Sequence, residues 1–414
     1  MKNWIRYILV LPGLFLPMVL YAQIPGGVPL TLSRVIELAG TKSPEVLLAA
    51  TRIAEEEGRI TGAQVRSLEN PKLEAALGPR IGPTTTIDVD VGVEIPFERG
   101  GKRDRRIAAA RAGLQREKHA SDNARRQAIA IAVGAYYRVL QSEERLRLAE
   151  DRKALAEELF RVARERHQGG DAPLFDVNLA QAEMSRAESA IESEKGFLAR
   201  ARAVLAASLG LPSGGDLRVE GDLKDRSFFD AVSSETSLDK RPDLLITLAE
   251  VDASRAGIAL AEAQAKPDIA FRVGYRHEEG DDIIQAGVSV PLPFFNPGKG
   301  PVQEARARSD RARIDAEARK AAVSSEIEGA RRSYAAAAES VRLLEKDGLP
   351  LQRESEAMAR ESYRAGKINL ATLLLVRRDA LDTRREYLER LLEAAEAGVD
   401  LAAAVGRFHR SDNP

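Results

Sequence analysis

What most constrains the fold of this chain is that most of it is written twice. Leu205-Ala206-Ala207-Ser208-Leu209-Gly210 is matched by Leu401-Ala402-Ala403-Ala404-Val405-Gly406 at an offset of 196. Gly170 in His167-Gln168-Gly169-Gly170 is matched by Gly366 in Tyr363-Arg364-Ala365-Gly366 at the same step, and Pro71 by Pro267. Pro44-Glu45-Val46-Leu47 pairs with Pro242-Asp243-Leu244-Leu245 at 198, and Gly92-Val93-Glu94-Ile95-Pro96 with Gly287-Val288-Ser289-Val290-Pro291 at 195. Repetition at one step means that one supersecondary unit is used twice. The first unit is read over 23–211 and the second over 240–407. A Gly/Asp/Ser-rich linker at 212–239 joins them, and a tail follows at 408–414.

Each unit reads helix, two strands, long helix, turn, helix. Residues 32–69 form the first helix, with Thr31 or Ser33 as N-cap. Residues 102–166 contain no proline, and their apolar residues from Ile107 to Val162 recur mostly at three-, four- or seven-residue steps. About 65 residues at ~1.5 Å each make a rod of ~95 Å. The turn at Gly169-Gly170-Asp171-Ala172-Pro173 reverses the chain into a helix over 174–209. The second unit repeats the plan with 301–346, a break at Gly348-Leu349-Pro350, 351–364, a turn at Gly366, and 370–406. Charged residues at 30% and aromatics at 5% suit long helices joined by narrow alanine-rich seams. Taken alone, those seams would describe a cytoplasmic spectrin-like or filament coiled coil, or a structural coiled coil of the cell envelope. The strands decide otherwise.

From Thr84 to Ile95 the residues alternate. Ile87, Val89, Val91, Val93 and Ile95 lie on one face; Asp88, Asp90, Gly92 and Glu94 lie on the other. With Leu73, Ala75 and Leu77 before a turn at Gly78–Pro83, this reads as a hairpin of strands at 71–78 and 84–96. The second unit places Ile269, Phe271, Val273 and Tyr275 opposite Asp268, Arg272, Gly274 and Arg276, in strands at 267–277 and 282–291. Strands of about ten residues with one apolar and one charged face have the pattern of a transmembrane barrel. In lipid an open sheet edge leaves amides and carbonyls unpaired at several kcal/mol each. Four strands cannot close a barrel, because about eight are needed. The chain is therefore expected to complete its barrel with copies of itself. Two copies give eight strands and three give twelve, and a bore wide enough for cargo favours three.

The start of the chain fits this. Lys2 and Arg6 precede an apolar run from Ile8 to Leu20, which reads as a secretory signal over 1–22. No stretch further on has ~20 consecutive apolar residues, so a conventional membrane helix is not expected.

On these residues the chain resembles the TolC-like outer-membrane efflux proteins. The resemblance runs from Leu32 to Gly406. It is carried by Ser43-Pro44-Glu45, Arg241-Pro242-Asp243-Leu244, Asn70-Pro71, Lys266-Pro267 and Tyr363-Arg364-Ala365-Gly366. The strand exits Pro96-Phe97-Glu98-Arg99-Gly100-Gly101-Lys102-Arg103 and Pro291-Leu292-Pro293-Phe294-Phe295-Asn296 are similar to the heavy-metal (CzcC/CusC-like) subgroup. The resemblance implies a mainly α homotrimer with a 12-stranded barrel in outer-membrane lipid and an α-helical tunnel in the periplasm. It implies docking to a periplasmic adaptor (membrane fusion) protein and to an inner-membrane pump of RND type. Heavy-metal cations are the implied cargo, with drugs or other small molecules as the alternative. A periplasmic coiled-coil adaptor is a second alternative, but it would carry one hairpin and not two equivalent halves. The flanks of the two turns, Gly170, Asp171, Leu174, Gly366, Lys367, Ile368 and Leu370, are the implied adaptor contacts. The acidic ring that narrows the mouth of some relatives falls near Thr372 and Leu375, so an aperture here would be steric and apolar.

Other chemistry is poorly supported. Lys+Arg at 62 against Asp+Glu at 63 gives nucleic acid no basic patch to bind. Without cysteine there is no thiolate nucleophile or thiolate metal site. Gly100-Gly101-Lys102 lacks the Walker pattern, since Pro96 and Arg103 stand where glycine and Ser/Thr are required. The histidines 119, 167, 277 and 409 have no metal-ligand spacing, although His277 sits among Glu278, Glu279, Asp281 and Asp282. The chain is read as non-catalytic, with no cofactor. Asp88, Asp90 and Glu94, together with Arg272 and Arg276, are the candidate lumen-lining residues. A ring of such acids would concentrate cations. The alternative is a polar lining without selectivity, with the arginines offsetting the field.

Overall fold

The computed structural model describes residues 29–81, 85–212, 217–233 and 241–409. The leader read at 1–22 and parts of the linker lie outside these residues. Helix α1 (Leu32–Lys42) and helix α2 (Pro44–Ala63) divide the helix expected over 32–69. Pro44 disfavours helical backbone in the residue before it, and Ser43 sits at φ −60°, ψ 145°. Its hydroxyl then accepts from the Val46 N–H at 3.3 Å and caps α2, as Thr31 caps α1 through the Arg34 N–H. Strands β1 (Lys72–Arg80) and β2 (Thr86–Phe97) follow. Helix α3 (Lys102–Gln168) then runs 67 residues, which is about 100 Å. Helix α4 (Leu174–Ser208) returns alongside it, and the linker holds α5 (Ser227–Ser233).

The second unit repeats the order: α6 (Pro242–Gln264), β3 (Ile269–Glu278), β4 (Asp281–Ser289) and α7 (Lys299–Leu343). A π-helical turn (Leu344–Gly348) passes directly into α8 (Leu349–Arg364), and α9 (Leu370–Ala404) comes back. The break expected at Gly348-Leu349-Pro350 is thus a change of winding within a continuing helix. Pro350 follows the π turn directly and, having no N–H, cannot continue the hydrogen bonding that Leu349 makes back to Leu344. Among the described residues no helix is long and apolar enough to cross a membrane.

The seams repeat every seven residues. Helix α9 buries Leu373, Ala380, Tyr387, Ala394 and Leu401, and α3 buries Ala135, Ser142, Ala149, Ala156 and Ala163. A strict seven-residue repeat packs helices side by side in a left-handed supercoil. In the second unit Ile327, Tyr334 and Val341 are followed by Leu349, Glu356 and Tyr363, so one step is eight residues long. The wider π turn absorbs the extra residue and keeps the seam inward. The main core gathers where the linker crosses the rods. Phe229 of α5 is fully buried, its ring centroid 5.5 Å from that of Tyr137 and 6.2 Å from that of Tyr334. Leu30 pairs with Val219 in a short parallel bridge, tying the start of the described chain to the linker.

An ionic knot holds the start of α6. Arg241 is 1% exposed. Its guanidinium donates to Asp243 at 3.0 and 2.5 Å, to Glu326 at 2.7 Å and to the Ala404 carbonyl at 3.1 Å. Arg319 pairs with both acids, and Arg126 donates to the Ala403 carbonyl at 2.9 Å. Burial alone would raise the Asp243 carboxyl, but hydrogen bonds from Arg241 and Arg319 hold it well below the usual carboxylate range. The last carbonyls of α9, which no helical N–H can reach, are thus capped by cations.

Candidate channel surfaces

The four strands form one antiparallel sheet in the order β1-β2-β3-β4, so the β2–β3 pairing joins the two units. The register places Leu73, Val93, Val273 and Ala286 in one row and Ala75, Val91, Tyr275 and Ile284 in the next, all on one face. That face is bare: Leu77 is 82% and Ile284 83% exposed. An apolar face this size on a sheet with nothing packed over it requires a cover, either lipid or protein. Strands β1 and β4 each have a free edge among the described residues. The turn between β3 and β4 is Glu279-Gly280, both at positive φ, as a two-residue hairpin turn requires.

The opposite face collects the charges. Asp88, Asp90, Glu94, Arg272 and Arg276 all lie on it, as the alternation predicts. Within one chain they are interlocked by ion pairs. Arg276 donates to Asp90 at 2.9 and 2.8 Å, and Arg272 reaches Glu74 at 3.0 Å and Asp90 at 3.6 Å. Glu94 stands opposite Arg272 in register. Arg80 pairs with Asp88 at 3.1 Å, with Glu279 at 2.5 Å and with Glu278. Strand β1 continues two residues beyond the expected end at 78 and so takes in Arg80. The signal was present: Glu74, Ala76, Gly78 and Arg80 keep one parity, so the alternation carries Arg80 onto the charged face. His277 lies 2.7 Å from Asp282, which also accepts from the Tyr275 hydroxyl at 2.6 Å.

At the far end of the rods the two turns share one geometry. Gly170 and Gly366 have φ of 82° and 70°. The next amide, of Asp171 or Lys367, donates back to Arg166 or Ser362 at 2.8 Å, which satisfies the end of the helix before it. The flanks differ. Asp171, Leu174, Gly366 and Lys367 are exposed, Leu174 by 57%. Ile368 is half-buried, and Leu370 is 0% exposed. Leu370 therefore cannot offer its side chain to a partner. Asn369 caps α9 by accepting from the Thr372 N–H at 2.8 Å, and Leu370 turns into a cluster with Leu159, Ala163, Tyr363 and Leu373. Phe175, beside Leu174, is exposed and did not figure in the sequence reading of the tip. Thr372 and Leu375 are exposed on one face of α9, and no acid occurs in its first turn.

The family model for "Outer membrane efflux protein" matches residues 37–211 and 234–407, one stretch in each unit. The cobalt-zinc-cadmium resistance protein CzcC of Cupriavidus metallidurans is 25% identical over 388 residues, covering 92% of this chain and 90% of that protein. The solved structure of CusC superposes with a TM-score of 0.76 at 17% identity, over 90% of this chain and 91% of that one. The outer-membrane channel OprN superposes at 0.74 with 16% identity, over 92% and 91%.

Proposed function

We propose, from the premise that this chain belongs to the outer membrane efflux protein family, that it is the passive outer-membrane duct of a tripartite exporter of heavy-metal cations. It is an outer-membrane protein, and no catalytic role is assigned to it. One observation carries the channel reading: a sheet with a bare apolar face, a charged opposite face and two open edges. In lipid those edges must be paired, so three copies close twelve strands into a barrel. Its lumen takes the face bearing Asp88, Asp90, Glu94, Arg272 and Arg276. Because those acids are matched by arginines, the lumen passes ions with little preference. The exposed tip residues Gly170, Asp171, Leu174, Gly366 and Lys367 meet the hairpins of a periplasmic adaptor, which connects to an inner-membrane pump. Thr372 and Leu375 narrow the mouth.

The metal cargo is supported by the likeness to CzcC along 92% of this chain. Deleting the gene from its host should raise sensitivity to cobalt, zinc and cadmium and leave drug sensitivity unchanged. The reverse pattern would replace the metal reading with a drug duct. Independently, the purified protein should run as a heat-dissociable trimer and conduct ions in a lipid film. Introducing Arg at both Leu77 and Ile284, at up to ~2–4 kcal/mol each on a lipid-facing strand and less towards the interface, should weaken insertion. A monomer that never conducts would end the channel reading itself.

A further inference from the structure

We propose that the cavity bounded by α3, α4, α8 and α9, near the turns at Gly170 and Gly366, is a binding site for a small free oxyanion of the phosphate or polycarboxylate class. The cavity encloses about 590 Å³. Its lining brings in Arg152, Arg186, Arg377, Arg378 and Arg385 against only Glu183, Glu356 and Asp382. Each acid is already engaged. Glu183 accepts from Arg152 at 2.6 Å and lies 3.4 Å from Arg186; Glu356 accepts from Arg384 at 2.8 Å; Asp382 is 3.9 Å from Arg378.

That leaves Arg377 and Arg385. Arg377 is 8% exposed, its Nη1 is 3.5 Å from the Leu155 carbonyl, and its Nε has no partner. Arg385 makes no ion pair or hydrogen bond to any described residue. Burial pushes the Arg377 guanidinium down; Glu356 opposes this and Arg360 adds to it. A buried guanidinium with unused donors is costly unless an anion meets it. Residues 377, 381 and 385 step by four, with 378 and 382 beside them, so α9 presents them on one face. Two guanidinium forks on that face match the paired oxygens of a phosphate or carboxylate. A surplus of fixed positive charge also repels cations, so this site serves something other than the cargo proposed above, although it shares Leu375 with the proposed mouth.

The full-length protein, purified in detergent as it assembles, is titrated calorimetrically with inorganic phosphate and with citrate. At least one should bind saturably and raise the thermal midpoint. Arg377→Met and Arg385→Gln should each weaken binding by about tenfold or more, the loss of one hydrogen bond to a charged group. Arg377→Met should also melt no lower than the wild type in anion-free buffer, and its midpoint should rise only at about tenfold higher anion. A purely structural Arg377 would instead lower the midpoint whether or not anion is present. Should Arg377→Met not fold, Arg385→Gln, at a half-exposed unpaired position, carries the test. If neither probe binds, as when a carboxylate of a neighbouring copy already fills the site, the proposal is overturned. Binding by the variants that equals the wild type's overturns it as well.

Discussion

Each unit starts its first long helix at an X-Pro step beside the end of the unit's last helix, and the two junctions are built differently. In the first unit the backbones touch. Gly210, at φ +66°, follows α4, and a Cβ there would lie 2.6 Å from the Lys42 carbonyl oxygen. Ser43 supplies a cap and little else. In the second unit a guanidinium fills the gap. A Cβ on Gly406, at φ +79°, would meet the Arg241 Cγ at 3.6 Å, an ordinary contact. One joint is held by shape and the other by charge, so they should fail under different insults.

The largest effect is expected at Arg241. Replacing it with Met leaves Asp243, Glu326 and the Ala404 carbonyl short of a donor. Breaking a buried pair costs about 3–5 kcal/mol, and because Arg319 still reaches both acids we expect the lower end, about 3 kcal/mol. The shift of the denaturant midpoint measures it, and a cost no greater than that of Ser43→Ala would erase the contrast. Acid should act on the same joint. The Asp243 carboxyl titrates below its unfolded value, so its contribution is complete above pH ~4 and is lost as the pH falls further toward the folded value. Midpoints taken from about pH 6 down to about 3 should fall more steeply for wild type than for Asp243→Asn; parallel curves would deny the knot its electrostatic role.

Smaller effects test the first joint. Gly210→Ala adds a backbone clash to the positive-φ penalty, about 2–3 kcal/mol together, whereas Gly406→Ala should show the φ penalty alone, about 1 kcal/mol. Equal losses from the two alanines would show that the joints are equally close. Ser43→Ala is expected to cost about 1 kcal/mol through the lost cap, with no dependence on pH.

The rods, hairpins and repeat were legible in the sequence because each is a local pattern: heptad spacing, period-two alternation, glycine and proline at fixed steps. The charged face of the sheet was legible for the same reason, except for Arg80, where a loop-like Gly78-Pro79 hid two more residues of strand. What could not be read was which charges meet. Arg241 and Glu326 are 85 positions apart, and Arg276 and Asp90 are 186 apart, so their pairing appears only once the helices and strands are assembled. Leu370 is buried whereas its counterpart Leu174 faces solvent. The repeat makes the two look equivalent, whereas Asn369 caps α9 and no side chain caps α4.

The π turn at Leu344–Gly348 gives the second unit a spare residue. Removing one residue there would restore a seven-residue step between Val341 and the next buried position, so the rod below should keep its phase. Helix α3 has no such slack. A single deletion at its middle would rotate everything toward the tip by about 100°, swinging Ala149, Ala156 and Ala163 out of register with α4. Length polymorphism should therefore be tolerated in one arm of the molecule and forbidden in the other.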